Sequence, residues 1–193
     1  MKDAELIGAA AEGDETAFQH LVKRHRSWAF GFVLKTVRDP EAAGDILQEA
    51  FVRVFKNLAK FRMESSFNTW FHRILYNLCI DYWRRSGRRI HMEYDDSLAF
   101  DGKGVGTAGG YDATSPERNN RRKEVVGILE QALDSLSLEH RTAILLREVE
   151  GLSYEEIADI IDCPKGTVMS RLHHARKKIV SFMKRYGYVS SEI

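Results

Sequence analysis

Residues 152–176, LSYEEIADIIDCPKGTVMSRLHHAR, constrain the fold more than any other stretch, because they spell two helices joined by a tight turn. Ser153 can cap the first helix through its hydroxyl, and Glu156 three residues on can reach back to close a capping box. Leu152 and Ile157 stand where a hydrophobic staple would cover that cap. Ile157, Ala158, Ile160 and Ile161 make the inner side of this short helix. Asp162 and Cys163 break it, and Pro164 has the fixed φ that suits the first turn of another.

The second helix divides its faces differently. Val168, Leu172, Ala175 and Ile179 recur at helical spacing as a buried stripe, while Gly166, Ser170, His173 and Lys177 fall opposite, with Thr167 and His174 beside them. Between Pro164 and Tyr186 stand seven Lys or Arg (Lys165, Arg171, Arg176, Lys177, Lys178, Lys184, Arg185) and no Asp or Glu. A helix apolar on one side and cationic on the other suits a major groove, where phosphates supply affinity and base edges supply specificity. A solvated hairpin in an ordinary bundle would leave the missing acids unexplained. This end of the chain therefore reads as a helix-turn-helix.

At 193 residues the chain makes one large domain or two small ones, and its formal net charge of +1 gives no whole-molecule argument for nucleic acid. Charge has to be read locally. The first residues carry acids where a signal peptide would be basic, and no apolar stretch of membrane-crossing length follows, so the chain is expected in the cytoplasm without membrane insertion. Cys79 and Cys163 lie in separate helical regions and form no metal-ligand group; each reads as a reduced thiol.

From Asp3 to about Ser86 the pattern is helical. Asp14 can cap a helix running to about Arg38 that carries Phe18, Leu21, Val22, Trp28, Phe32 and Val33. Asp39, Pro40 and Glu41 supply a second start: a cap, a proline at the first position and an acid in the first turn. The helix they open would bury Ile46, Leu47, Ala50, Phe51, Val54 and Phe55 and leave Glu41, Asp45, Gln48 and Glu49 outside. A polar loop, 62–66, leads into FNTWFHRILYNLCIDYWRR, where five Arg between Phe67 and Arg89 face one acid, Asp81, and six aromatics are interleaved. Trp70, Ile74 and Leu78 fall at steps of four and are expected on the inner side. Arginines and rings beside a polar loop also suit a single strand, whose backbone needs cations and whose unstacked bases need flat or pocketed partners. Core packing and strand contact both remain open on residue types.

Composition then changes. Glu93 to Glu117 holds six acids against one base, and five glycines fall within Gly102–Gly110, so a flexible acidic, glycine-rich linker is expected. Inside it, Gly104 to Gly109 spells GxGxxG, but neither a buried strand before it nor a helix start after it is present, so no dinucleotide cofactor is expected. Helices resume after Pro116: Val125–Leu136 is amphipathic, and Ser137 opens a helix with Ala143, Ile144, Leu145 and Val149 inside. Paired carboxylates, HExxH and GxSxG are all missing, so catalysis, metal and cofactor have no support.

Three motifs in this order, DPEAAGDILQEAFVRVF, then FNTWFHRILYNLCIDYWRR, then GLSYEEIADIIDCPKGTVMSRLHHARKKI, resemble those of the bacterial RNA polymerase sigma factors of the extracytoplasmic-function class. The resemblance implies an all-α fold of two small helical domains: sigma-two at 1–90, a linker at 91–121, and sigma-four at 122–193. It implies a non-enzymatic initiation factor that binds core RNA polymerase at the β′ clamp helices and the β flap. Asp45, Gln48 and Glu49 would dock on the clamp helices. Arg62, Ser65, Phe67, Asn68, Arg73, Asn77, Arg84 and Arg85 would hold the single-stranded −10 element, trapping a flipped base so that binding energy becomes strand separation. Arg147, Lys165, Thr167, Met169, Ser170, Arg171, His173, His174 and Arg176 would meet duplex −35 DNA. An anti-sigma factor is implied as a further partner. Met169 and His174 stand where relatives often carry permanent cations, which implies weaker phosphate-driven affinity at −35. A stand-alone regulator would instead need a dimer surface, and a nucleotide enzyme would need a strand before Gly104.

Overall fold

A computed structural model of the chain describes residues 2–61, 65–87 and 116–188, the last with side chains from 122 onward. Among the described residues there are eight α-helices and no strand: α1 (Asp3–Ala11), α2 (Glu15–Val37), α3 (Pro40–Asn57), α4 (Phe67–Arg85), α5 (Pro116–Asp134), α6 (Leu138–Ile144), α7 (Tyr154–Ile161) and α8 (Lys165–Arg185). A 3₁₀ turn, Leu58–Lys60, follows α3, and a π-helical turn, Leu145–Val149, continues α6. Arg62 and linker residues 91–115, with the glycine motif, lie outside the described residues, whereas 116–121, read from composition as linker, already belong to α5.

The helix starts follow from local chemistry. The Asp14 carboxylate accepts from the backbone N–H of Thr16 and Ala17 at 2.8 and 3.1 Å, and Asp39 does the same for Glu41 and Ala42. Each satisfies donors that the first helical turn leaves bare, worth about 1 kcal/mol. Asp39 also accepts from the Tyr82 hydroxyl at 2.8 Å, so the cap of α3 is tied to the end of α4. Ser66 caps α4 through the Thr69 N–H, and the Ser153–Glu156 capping box opens α7 as its spacing demands.

Two compact units emerge: Met1–Ile90 with Leu145–Lys165, and His91–Ile144 with Gly166–Ile193. Composition places the boundaries at 90 and 121, whereas the packing groups the π turn and α7 with the N-terminal helices. In the first unit α2 packs on α1, α3 and α4, and α7 packs on α4. Leu21, Phe32, Val33, Phe71, Leu75 and Ile157 are fully enclosed, each contributing about 1.5–3 kcal/mol through apolar burial. His25 is buried among them. Its Nδ1 accepts from Trp28 Nε1 at 3.0 Å and its Nε2 faces the Asp3 carboxylate at 3.3 Å, an arrangement that a neutral ring satisfies. Burial holds its pKa below the ordinary value, outweighing the opposite pull of Asp3.

In the second unit Val168, Leu172 and Ala175 are buried on α8, and Ile128 and Ala132 on α5. Arg141 is enclosed there and acts as a clamp. Its Nε donates to the Leu133 carbonyl and one Nη to the Asp134 carbonyl, both at 3.0 Å. The carbonyls that end α5 thereby find a partner.

Several positions differ from the sequence reading. Phe55 is 55% exposed and Phe51 half-buried: Phe55 sits on the last turn of α3, where it edges onto Phe18 with centroids 5.0 Å apart. On α4 the deep stripe is Phe67, Phe71, Leu75 and Leu78, while Trp70 and Ile74 are half-buried. Packing against α2, α3 and α7 gives this helix a broad buried arc whose centre lies off the Trp70–Ile74 line. Val149 is exposed rather than inside, because the π turn adds a residue and rotates the backbone beyond it. Ile179 is half-buried, beyond the deep part of its stripe.

Candidate polymerase and DNA interfaces

The outer face of α3 carries Asp45, Gln48 and Glu49, all exposed. Glu49 holds Arg53 at 2.9 Å, an exposed pair one helical turn apart that contributes little. Beside these acids stand Val52 and Phe55, 39% and 55% exposed. The spacing conceals them, since it assigns Phe55 to the core and leaves Val52 unremarked. Phe55 edges onto Phe18, which with Val22, Phe30, Lys23 and Arg26 lines an open groove along α2. An acidic face with an apolar margin is a docking surface in the making, because exposed apolar side chains gathered in one place mark contact sites.

On α4, Arg73, Asn77 and Arg84 are exposed and share one face, since steps of four and seven return to nearly the same helical direction. Asn68 and Arg85 are exposed on other sides of the helix, and Phe67 is buried with its ring against Phe61 and Trp70. Ser65 is exposed just before the cap. Trp70 lies on the Arg73–Asn77 face and stacks on Phe61, centroids 4.8 Å apart and planes 28° apart. Half-exposed stacked rings beside arginines are what an unstacked base uses. The step from Trp70 to Asn77 was the available signal, masked by the Trp70–Leu78 spacing.

On α8 the buried stripe sends Ser170, His173 and Lys177 to the opposite side. Thr167, Arg171 and His174 fall along one flank, and Lys165, Met169 and Arg176 along the other. His174 lies 5.6 Å from His173 and 6.1 Å from His140 of α6, measured between rings. Two of the residues expected at −35 DNA, Lys165 and Arg147, also have partners within the chain. Lys165 pairs with Glu155, whose carboxyl this hydrogen bond holds below its ordinary pKa. Arg147 donates to the Leu152 carbonyl at 2.7 Å and lies over the Tyr154 ring, fastening the turn before α7.

Among the described residues no group of three or more His, Cys, Asp or Glu could hold a metal ion, and no helix is long and apolar enough to cross a membrane. Cys79 is enclosed, and burial pushes its thiol well above the ordinary range, so it is inert. What the surfaces offer is recognition: an acidic face with an apolar margin on α3, and basic faces on α4 and α8. They define a DNA-reading protein that works with a protein partner.

Residues 21–89 match the Sigma-70 region 2 family and residues 127–179 the Sigma-70 region 4 family. The chain is 38% identical to the ECF RNA polymerase sigma-E factor of Haemophilus influenzae, over 93% of this chain and 94% of that one. It is 36% identical to the RNA polymerase sigma-H factor of Pseudomonas aeruginosa, over 92% of each. Among solved structures it is similar to CnrH in complex with the cytosolic domain of CnrY, with a TM-score of 0.67 and 23% identity over 95% of this chain and 97% of that one. It is also similar to the sigma factor RpoE in complex with the anti-sigma factor NepR from Bartonella quintana, with a TM-score of 0.62 and 24% identity over 86% and 96%. The chain belongs to the sigma-70 family of RNA polymerase sigma factors, in its extracytoplasmic-function class. It is a promoter-specific transcription initiation factor and not an enzyme.

Proposed function

We propose that this chain divides the work of initiation between residues 1–90 and 122–193, with 91–121 joining them. Asp45, Gln48 and Glu49 dock on the β′ clamp helices of core polymerase, with Val52 and Phe55 supplying the apolar margin, while the C-terminal part engages the β flap. Arg73, Asn77 and Arg84 grip the melted −10 strand, with Ser65 and Asn68 at the loop and Arg62 and Arg85 along the backbone. Phe67 supports the pocket, and the Phe61–Trp70 stack receives a base. On α8, Met169, Ser170, His173 and His174 face −35 bases and Thr167, Arg171 and Arg176 hold phosphates. Lys165 joins them once it exchanges Glu155 for a phosphate, and Arg147 orders the turn.

The observation that carries this reading is the single exposed α4 face shared by Arg73, Asn77, Arg84 and half-exposed Trp70. Solved relatives of the same fold are complexes with the cytosolic domain of CnrY and with the anti-sigma factor NepR. By likeness, an anti-sigma factor in the cytoplasm is the proposed inhibitor here. The test is transcription by purified core polymerase across a promoter library at fixed salt, with and without this protein. Defined starts should appear only when it is added, and Asn77→Ala should relax the base preference at one −10 position. Loss of all starts with equal affinity for every −10 variant would overturn the base-reading role.

A further inference from the structure

The helix α1 belongs to none of the surfaces described above, yet it stands behind one of them. Leu6 and Ile7 are buried and anchor it, and it packs on α2 and on the 3₁₀ turn Leu58–Lys60. Phe61, which stacks on Trp70 beside Arg73 and Asn77, is the residue that follows this turn. From one side, then, α1 reaches the stack through the backbone that carries Phe61.

A second route runs through His25. Asp3, on the first turn of α1, pairs with Arg24 and lies 3.3 Å from His25 Nε2. The Trp28 indole N–H can only donate, so His25 Nδ1, which accepts it at 3.0 Å, carries no hydrogen. In the uncharged ring the hydrogen is therefore on Nε2, turned to the Asp3 carboxylate. Burial favours that uncharged form by lowering the pKa. Two polar partners fix the rotation of an imidazole, which an apolar side chain of similar size would leave to packing alone. The ring held in this way lies against Phe67, with centroids 4.9 Å apart. Phe67 in turn meets both rings of the stack, Phe61 edge-on at 6.1 Å and Trp70 at 5.8 Å. Phe61 and Trp70 are half-buried, so neighbouring rings rather than a closed core must hold their orientation. A receptor that has to order its own side chains when a ligand arrives binds more weakly than one already set.

We propose that α1 is the buttress of the base-receiving stack, with Asp3 and His25 as positioning residues that hold Phe67, and through it Phe61 and Trp70, ready for an unstacked −10 base. His25 is 3% exposed, so it acts through Phe67 and not on the strand itself. The inference rests on the functional reading of the stack given above. To that reading it adds control of base capture by side chains that lie behind the rings.

The test uses the full chain bound to core polymerase and a labelled −10 single strand in which each nucleotide in turn is made abasic. In the native complex one abasic position should lower affinity most, because a base stacked on rings contributes there. Asp3→Ala acts at a half-buried site, and His25→Phe keeps a ring against Phe67 but lacks both nitrogens. Each should weaken binding of the intact strand about three- to tenfold and leave binding of the strand abasic at that position within about twofold of native. A merely structural defect would lower both affinities alike, since it removes active protein without regard to the base. Equal losses on the intact and abasic strands, or no loss in either variant, overturn the proposal. If His25→Phe does not fold, Asp3→Ala decides alone. Trp70→Ala separates this inference from the reading beneath it. If it abolishes the abasic penalty while Asp3→Ala and His25→Phe keep that penalty in full, the stack receives the base and α1 does not position it. If Trp70→Ala leaves the penalty unchanged, the stack is not the receptor and the proposal falls with that reading.

Discussion

His174 shows how far one side chain would set the behaviour of the proposed −35 surface. It stands on the α8 flank with Thr167 and Arg171, with His173 and His140 as ring neighbours. An imidazole there carries no permanent charge toward phosphate, unlike a guanidinium. His174→Arg should therefore tighten −35 duplex binding at matched salt and make the slope of log affinity against log salt more negative by about 0.9. Fluorescence anisotropy across a salt series measures both. An unchanged slope would place residue 174 away from the DNA. His25 supplies a second residue-scale prediction. Its pKa is lowered on folding, so the stability it supports is present above the ordinary histidine value and is lost as pH falls through the lowered one. Thermal unfolding from about pH 8 down to 5 should cost the native chain up to about 1.4 kcal/mol per pH unit more than His25→Gln, which cannot take up that proton. Equal pH profiles for the two proteins would mean that His25 is not held neutral.

At the scale of the element, caps and clamps separate what the sequence makes legible from what it hides. Asp14, Asp39 and Ser153 act within three residues of their partners, so composition and spacing identify them before any fold is known. Arg141 reaches seven and eight residues back to carbonyls at the end of α5, a link that no helical period announces. Arg141→Met fills similar space but leaves those carbonyls without its donors, and should destabilise the second unit by about 2–4 kcal/mol in urea unfolding followed by helix signal. A loss below about 0.5 kcal/mol would show that water replaces the guanidinium. Phase errors have an equally physical origin. Trp70 and Phe71 both head apolar series, and only packing on α2, α3 and α7 decides which faces inward. Val149 moved outward because a π turn is a backbone event that side-chain periodicity does not encode. The Thr69–Glu156 bond spans 87 residues and pairs two groups each already explained locally, so nothing in the chain marks them as partners.

For the whole molecule, the governing fact is that a net charge of +1 hides faces of opposite sign. The cations of α8 suit a polyanion, while the α3 acids would be repelled by one and suit a basic protein surface. A free chain so balanced has little long-range attraction to DNA, and contacts with four phosphates would give a salt slope of only about −3.6. On the proposed docking, promoter reading depends on polymerase bringing the basic faces and the DNA together, and the α3 face would act as the switch for the assembly. Glu49→Lys with Asp45→Lys should raise the Kd for core polymerase at least tenfold, with the loss growing as salt is lowered because repulsion replaces attraction. The same double variant should fold normally, since both positions are exposed and Glu49 makes only a surface pair. Its affinity for an isolated −35 duplex should rise slightly rather than fall, because two acids have been removed from a chain approaching DNA. Transcription from a cognate promoter should nonetheless drop with polymerase binding. If the variant instead initiates as the native chain does, the clamp contact does not pass through this face, and the apolar margin of Val52 and Phe55 is the surface to alter next.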